Sequence, residues 1–183
     1  MELPRSGRIM STVKLGLSFV ALALAAVGCA QDPHTPEVVG TKWLNLNGQK
    51  PITLTSRAGK VTVVHFWTFA CSNCKANLPI YDFLYEKFAK RGVEMVGIHT
   101  PELAFEKVDE NVRLEVKKLG IKYPVLIDTD GRNWNRWKQE FWPTIYVIDK
   151  KGRIAFKWAG ELNYQGADGE RQTIAAIEKA LRG

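Results

Sequence analysis

Cys71 and Cys74, separated only by Ser72 and Asn73, are the residues of this chain whose types and spacing point most directly to chemistry. A two-residue spacer keeps two sulfurs within about one helical turn, so a disulfide can open and close without large backbone motion. The pair stands at the seam between an apolar, β-branched run, Val61 to Trp67, and a helix-forming stretch. A cysteine at a helix N-terminus meets free N–H groups and the positive end of the helix dipole. Both stabilise the thiolate, which is the nucleophile of disulfide exchange. Cys71 is therefore the expected nucleophile and Cys74, one turn inside, the resolving thiol. In the implied cycle Cys71 attacks a substrate disulfide, Cys74 displaces the reduced substrate, and an electron donor then reduces the pair again. A zinc site needs about four ligands, and beyond this pair the chain offers only Cys29 and three scattered histidines, so no metal site is expected.

The elements around the pair read as an α/β domain. Val61 to Trp67 has the composition of a central strand buried on both faces, and a helix follows from Cys71 to about Arg91, with Pro79 expected to kink it. Val93 to His99 is the next buried strand. Phe105 to Leu119 carries apolar residues near helical spacing, which makes one β-α-β crossover. Pro124 to Ile127 is a short strand and Trp134 to Gln139 a short helix. Thr144 to Ile148 and Ile154 to Trp158 are strands joined by hairpin turn chemistry at Asp149 to Gly152, and Asp168 to Leu181 is a closing helix. Upstream, Trp43 to Leu46 and Pro51 to Leu54 flank Asn47-Gly48-Gln49-Lys50, the pattern of an N-terminal β-hairpin. Together these predict a mixed central sheet flanked by helices, with that hairpin as an extension.

The segment FWTFACSNCKANLP resembles the active-site segment of thioredoxin-like proteins of the TlpA/ResA/DsbE group. With GIHTPE at Gly97 to Glu102, Phe105-Glu106, GIKYPVLID and FWPTIYVID, the chain from about Val38 onward resembles most closely the thioredoxin-like domain of DipZ-type proteins. The resemblance implies the thioredoxin fold and thiol-disulfide exchange in the bacterial envelope. It also implies a cis bond before Pro143, with the proline packed against the sulfurs. The backbone at Trp142, with Thr144 beyond, would then pair with an extended substrate strand. No cofactor is implied, since the dithiol carries the electrons. The partners implied are disulfide-bearing envelope proteins such as apocytochrome c or a copper-site thiol pair, and a separate CcdA- or DsbD-like membrane donor.

Two positions depart from relatives. His65 stands six residues before Cys71, where thioredoxin has a buried aspartate, and Asn77 stands where many ResA-like proteins place a glutamate. His65 is then either a proton acceptor for Cys74 or a core histidine satisfied by a backbone carbonyl. Trp67 and Phe69 flank the motif; Trp67 is a candidate substrate contact, although packing alone explains both. His99 and Glu102 belong to the loop after the second core strand, where ligand sites of open α/β sheets lie. Trp134 and Trp137 share one face of a short helix, and Lys75 either adds positive potential or faces solvent.

Arg5, Arg8 and Lys14 precede the thirteen-residue apolar run Leu15 to Val27, which is a signal-peptide pattern over residues 1–28 and short of the roughly 20 residues of a spanning helix. Ala26-Val27-Gly28-Cys29 resembles a lipobox with Ala26 in place of the usual leucine. Cys29 is thus a candidate lipid anchor on the periplasmic side, with ordinary cleavage as the alternative. Residues 29–39 form a proline-containing tether, and residues 40–183 the domain. Three bases and one acid leave with the leader, which takes the net charge from +7 to +5. That modest excess is interspersed with acids, as on solvated helix faces, and does not describe a nucleic-acid surface.

Two other activities compete. Thr68-Phe69-Ala70-Cys71 matches the Thr-x-x-Cys part of a peroxiredoxin motif, but Val64 occupies the position of its proline. A Cu(I) carrier would use Cys71, Cys74 and His99 as soft ligands.

Overall fold

The computed structural model describes Met1 and residues 35–183; the leader, Cys29 and the first part of the tether lie outside the described residues. The strands are β1 (Trp43–Leu44), β2 (Val61–Trp67), β3 (Val93–His99), β4 (Val125–Ile127), β5 (Thr144–Ile148) and β6 (Ile154–Ala159), and the helices are α1 (Leu54–Arg57), α2 (Ser72–Phe88), α3 (Asp109–Lys118), α4 (Arg132–Arg136) and α5 (Gly169–Arg182). They form one sheet in the order β1-β4-β3-β2-β5-β6. β2, β3 and β4 run parallel, whereas β5 and β6 add antiparallel on one side and β1 on the other. Because β2, β3 and β4 progress in one direction across the sheet, right-handed crossovers place α2 and α3 on the same face.

Every residue of β2 is buried. Val61, Val63 and Trp67 pack with Leu78, Tyr81, Leu84 and Phe88 of α2, Val112 and Val116 of α3, and Ile177 of α5. Val64 and Phe66 point the other way, into a second core with Val96, Ile98, Leu126, Trp137 and Tyr146. This alternation of period two puts His65 on the same face as α2 and its cysteine.

The expected N-terminal hairpin does not form. Trp43–Leu44 pairs with Val125 and Leu126 of β4 instead of with its sequence neighbour. Asn45 and Asn47 take positive φ, which turns the chain away, and Asn45 Nδ2 donates to the Ile121 carbonyl at 2.6 Å. The Pro51 to Leu54 segment runs into α1, because Thr53 caps it: Thr53 Oγ1 accepts from Ser56 N–H and Ser56 Oγ accepts from Thr53 N–H. Pro79 lies inside α2 with its ring exposed, and the helix continues through it. The Asp149 to Gly152 turn joins β5 and β6 as expected.

Candidate active site

Cys71 is the N-cap of α2, and its Sγ accepts the backbone N–H of Cys74 at 3.2 Å. Both cysteines are free thiols. Cys71 is partly exposed, while Cys74 is 0% exposed, so only the first sulfur can meet a partner. The Cys74 thiol donates to Cys71, and this bond is the main reason that the Cys71 pKa falls from 9.0 to about 7. Burial opposes the fall, the N–H groups of Cys74 and Asn73 assist it, and the Glu102 charge works against it. Cys74 moves the other way: it holds the shared proton, and burial adds to the cost of its ionisation. The geometry thus separates an attacking sulfur from a protonated one in reserve. Lys75 is exposed.

The turn Thr68-Phe69-Ala70 delivers the chain from β2 to Cys71. Cys71 N–H donates to the Thr68 carbonyl at 3.4 Å. The Thr68 hydroxyl donates to Glu106, and Ala70 N–H donates to the same carboxylate oxygen at 2.8 Å. In the sequence, Phe105-Glu106 stands out only as part of a resemblance, which does not carry this role. A signal existed: an acid three residues into a helical turn, as in the second half of a capping box, and Glu106 indeed accepts the Leu103 N–H at 2.8 Å. Glu102, the acid singled out instead, is exposed and reaches Cys71 through its charge alone.

His65 fits neither expected role. It is fully buried, its ring tilted by 38° against Tyr81 with centroids 4.2 Å apart and edge-on to Tyr123 at 5.3 Å, and neither ring nitrogen has a hydrogen-bond partner. No carbonyl satisfies it, and no bond joins it to Cys74. Burial lowers its pKa from 6.5 to about 3, which makes it a poor acceptor for a thiol proton whose own pKa is raised. The contacts it makes are those of a core ring.

His99 is also buried, stacked on Phe69 with centroids 5.3 Å apart, and its Nε2 lies 3.3 Å from Thr68 Oγ1. Burial lowers its pKa to about 4 against the pull of Glu106. Among the described residues no group of three or more His, Cys, Asp or Glu side chains converges to hold a metal ion. The Cys71, Cys74 and His99 set is therefore not assembled here, the histidine ring being committed to Phe69 and Thr68.

The Trp142–Pro143 bond is cis, and Pro143 is buried. Its carbonyl is occupied, accepting the Gly160 N–H at 2.7 Å. Two of the side chains expected to meet substrate do not present themselves. Trp67 is wholly buried, its ring edge-on to His99 at 5.3 Å, and Thr144 is buried with its hydroxyl donating to the Phe141 carbonyl at 2.8 Å. Trp142 is half-buried and stacks on Trp134 at 3.9 Å. This pair walls a shallow cavity of about 230 Å³ with Pro101, Lys107 and Gly131. Phe141 and Phe105 are exposed, and Phe105 packs 5.7 Å from Phe69. Beneath α2, the buried Asn77 donates to Tyr81 Oη and the Gly160 carbonyl and accepts from Leu162 N–H, tying the helix to the chain that follows β6.

Over residues 35–157 the chain matches the model of the AhpC/TSA family. It is 39% identical over 136 residues to Protein DipZ of Mycobacterium tuberculosis, which is 74% of this chain and 19% of that protein. It is 30% identical over 130 residues to the thiol-disulfide oxidoreductase ResA of Bacillus cereus, covering 71% of this chain and 72% of ResA. The solved structure of a thiol-disulfide isomerase from Corynebacterium glutamicum superimposes with a TM-score of 0.70 at 21% identity, over 84% of this chain and 98% of the other. The chain thus spans about a fifth of the length of DipZ.

Proposed function

The chain belongs to the AhpC/TSA family with a thioredoxin-like fold, and from that premise we propose that it is a thiol-disulfide oxidoreductase of the bacterial envelope that reduces exported proteins. The observation that carries this reading is the asymmetry of the two sulfurs, with Cys71 partly exposed and brought to a pKa of about 7 and Cys74 buried and protonated.

In the proposed cycle the Cys71 thiolate attacks a substrate disulfide, forming a mixed disulfide and expelling one substrate thiolate. Cys74 then attacks the Cys71 sulfur, its proton passing to a released substrate thiolate; the Cys71–Cys74 bond forms and the second substrate sulfur leaves. Two electrons have passed to substrate, and a separate donor of the CcdA or DsbD kind returns them. Apocytochrome c and copper-site thiol pairs are the proposed substrate class. A lipid on Cys29 would hold the domain at the periplasmic face of a membrane. The peroxidase alternative draws less support, because the Thr68 hydroxyl is given to Glu106 and the buried Cys74 lies one turn away to close an internal disulfide.

The reading is tested by equilibrating the purified chain with glutathione or dithiothreitol. A reductase requires a potential near or below about −250 mV, whereas a value near about −120 mV would mean an oxidant that forms disulfides. Rapid turnover of hydrogen peroxide would instead favour the peroxidase.

A further inference from the structure

Glu106 is 0% exposed, yet it lies under the turn that carries the cysteines with a full set of donors. One carboxylate oxygen accepts from the Thr68 hydroxyl and from Ala70 N–H at 2.8 Å. The other accepts from Glu102 N–H at 2.9 Å and Leu103 N–H at 2.8 Å. A buried carboxylate without partners would neutralise itself by taking up a proton. Here burial does oppose ionisation, but the bonds from Thr68, Leu103, Ala70 and Glu102 outweigh it and hold the carboxyl below its ordinary range. Glu106 is therefore a fixed negative charge and a poor proton acceptor.

Thr68 connects that charge to both sulfurs. Its hydroxyl goes to Glu106, its carbonyl accepts Cys71 N–H at 3.4 Å, and its own N–H is turned to the Cys74 sulfur. The hydroxyl has one proton, given to Glu106, so its 3.3 Å contact with His99 is a hydrogen bond when Nε2 carries the proton of that neutral ring. Cys74 and His99 feel the Glu106 charge, and neither is a cation at neutral pH that would cancel its field; Lys107, next in the chain, is exposed to solvent.

We infer that Glu106 is a positioning residue of the dithiol: through Thr68 it holds the turn that aims both sulfurs, and its buried charge biases the pair toward the disulfide, which makes the reduced protein a stronger donor of electrons. The inference rests on the oxidoreductase reading above. Its physical basis is that the disulfide is neutral while the reduced pair carries a thiolate. A nearby negative charge raises the energy of the reduced form alone.

The test uses the full chain and its Glu106→Gln variant, each equilibrated with glutathione and glutathione disulfide after circular dichroism has shown that the variant is folded. Oxidation of the dithiol consumes one glutathione disulfide and releases two glutathiones. Its equilibrium constant is expected to fall about tenfold in the variant, which is ~30 mV for this two-electron couple. The midpoint of Cys71 alkylation against pH is expected to fall as well. A merely structural residue would change the melting temperature and leave both readouts where they were. A folded variant with both within twofold of the parent overturns the inference. Thr68→Val, which keeps the carboxylate and loses its bond to the turn, is expected to slow disulfide exchange about tenfold, with Thr68→Ser restoring it. Thr68→Val exchanging within twofold of the parent overturns the positioning role even where the Gln variant does not fold. A parent chain that does not exchange with glutathione at all would defeat the oxidoreductase reading itself, and this inference with it.

Discussion

His65 and Gly97 are partners in the parallel register of β2 and β3, and a Cβ on Gly97 would lie 2.7 Å from His65 Nε2 and 3.1 Å from Trp67 Nε1. The glycine is the space in which the imidazole and the indole edge fit. Gly97→Ala is accordingly expected to overpack this layer and to lower stability by about 1–3 kcal/mol in urea denaturation. Combining it with His65→Ala should recover part of the loss, because the two residues share one volume. A double-mutant cycle with no coupling would mean that the layer relaxes elsewhere.

The two buried histidines make stability depend on pH. Their pKa values fall to about 3 for His65 and about 4 for His99, both from burial and both below the ordinary 6.5. Between those values and 6.5 the unfolded chain binds protons that the native chain does not, so stability is full above 6.5 and is lost as pH falls toward 4. Each group contributes a slope of up to about 1.4 kcal/mol per pH unit. Urea midpoints taken from pH 7 to pH 4 check this. His65→Leu should flatten the slope and leave the rate of Cys74 attack within about twofold, as befits a packing residue.

Alkylation of Cys71 by iodoacetamide should show a midpoint near pH 7. Removing the Cys74 thiol with Cys74→Ala takes away the largest stabilising contribution to the thiolate. The midpoint should then rise to the ordinary 9.0 or above, because burial and the Glu102 charge outweigh the backbone N–H bonds that remain. An unchanged midpoint would place the effect on the helix terminus alone.

Asn77 is expected to matter for stability before chemistry. Asn77→Leu strands the Gly160 carbonyl and the Leu162 N–H without their side-chain partner, at about 1–3 kcal/mol for each buried group left unpaired. A lowered denaturation midpoint with Cys71 alkylation intact is the expected pair of results. A change in the alkylation profile at constant stability would instead make Asn77 part of the redox chemistry.

Several of these features were legible along the chain because they are local. The β-branched run of β2, the cysteines three apart at a helix start and the turn residues of the β5–β6 hairpin each depend on neighbours within a few positions, and period and spacing report such relationships directly. The role of His65 was not legible, since whether its nitrogens find partners depends on Tyr81, Tyr123 and Gly97, which other elements bring to it. Trp67 precedes the cysteine motif and Thr144 follows Pro143 in sequence, but strand alternation and the Phe141 carbonyl turn them inward.

What this sequence determined by itself was the reactive pair, the element that presents it and the α/β character of the domain. Only the tertiary structure decided that Trp43–Leu44 pairs with β4 instead of closing a hairpin, that Asn77 clamps α2 to Leu162, and that Glu106 supports the turn before Cys71. Those contacts join residues between 36 and 85 positions apart where side-chain bonds make them. They come into being when the crossovers and sheet register bring distant loops to one edge, and no local pattern of hydrophobicity or spacing carries that information.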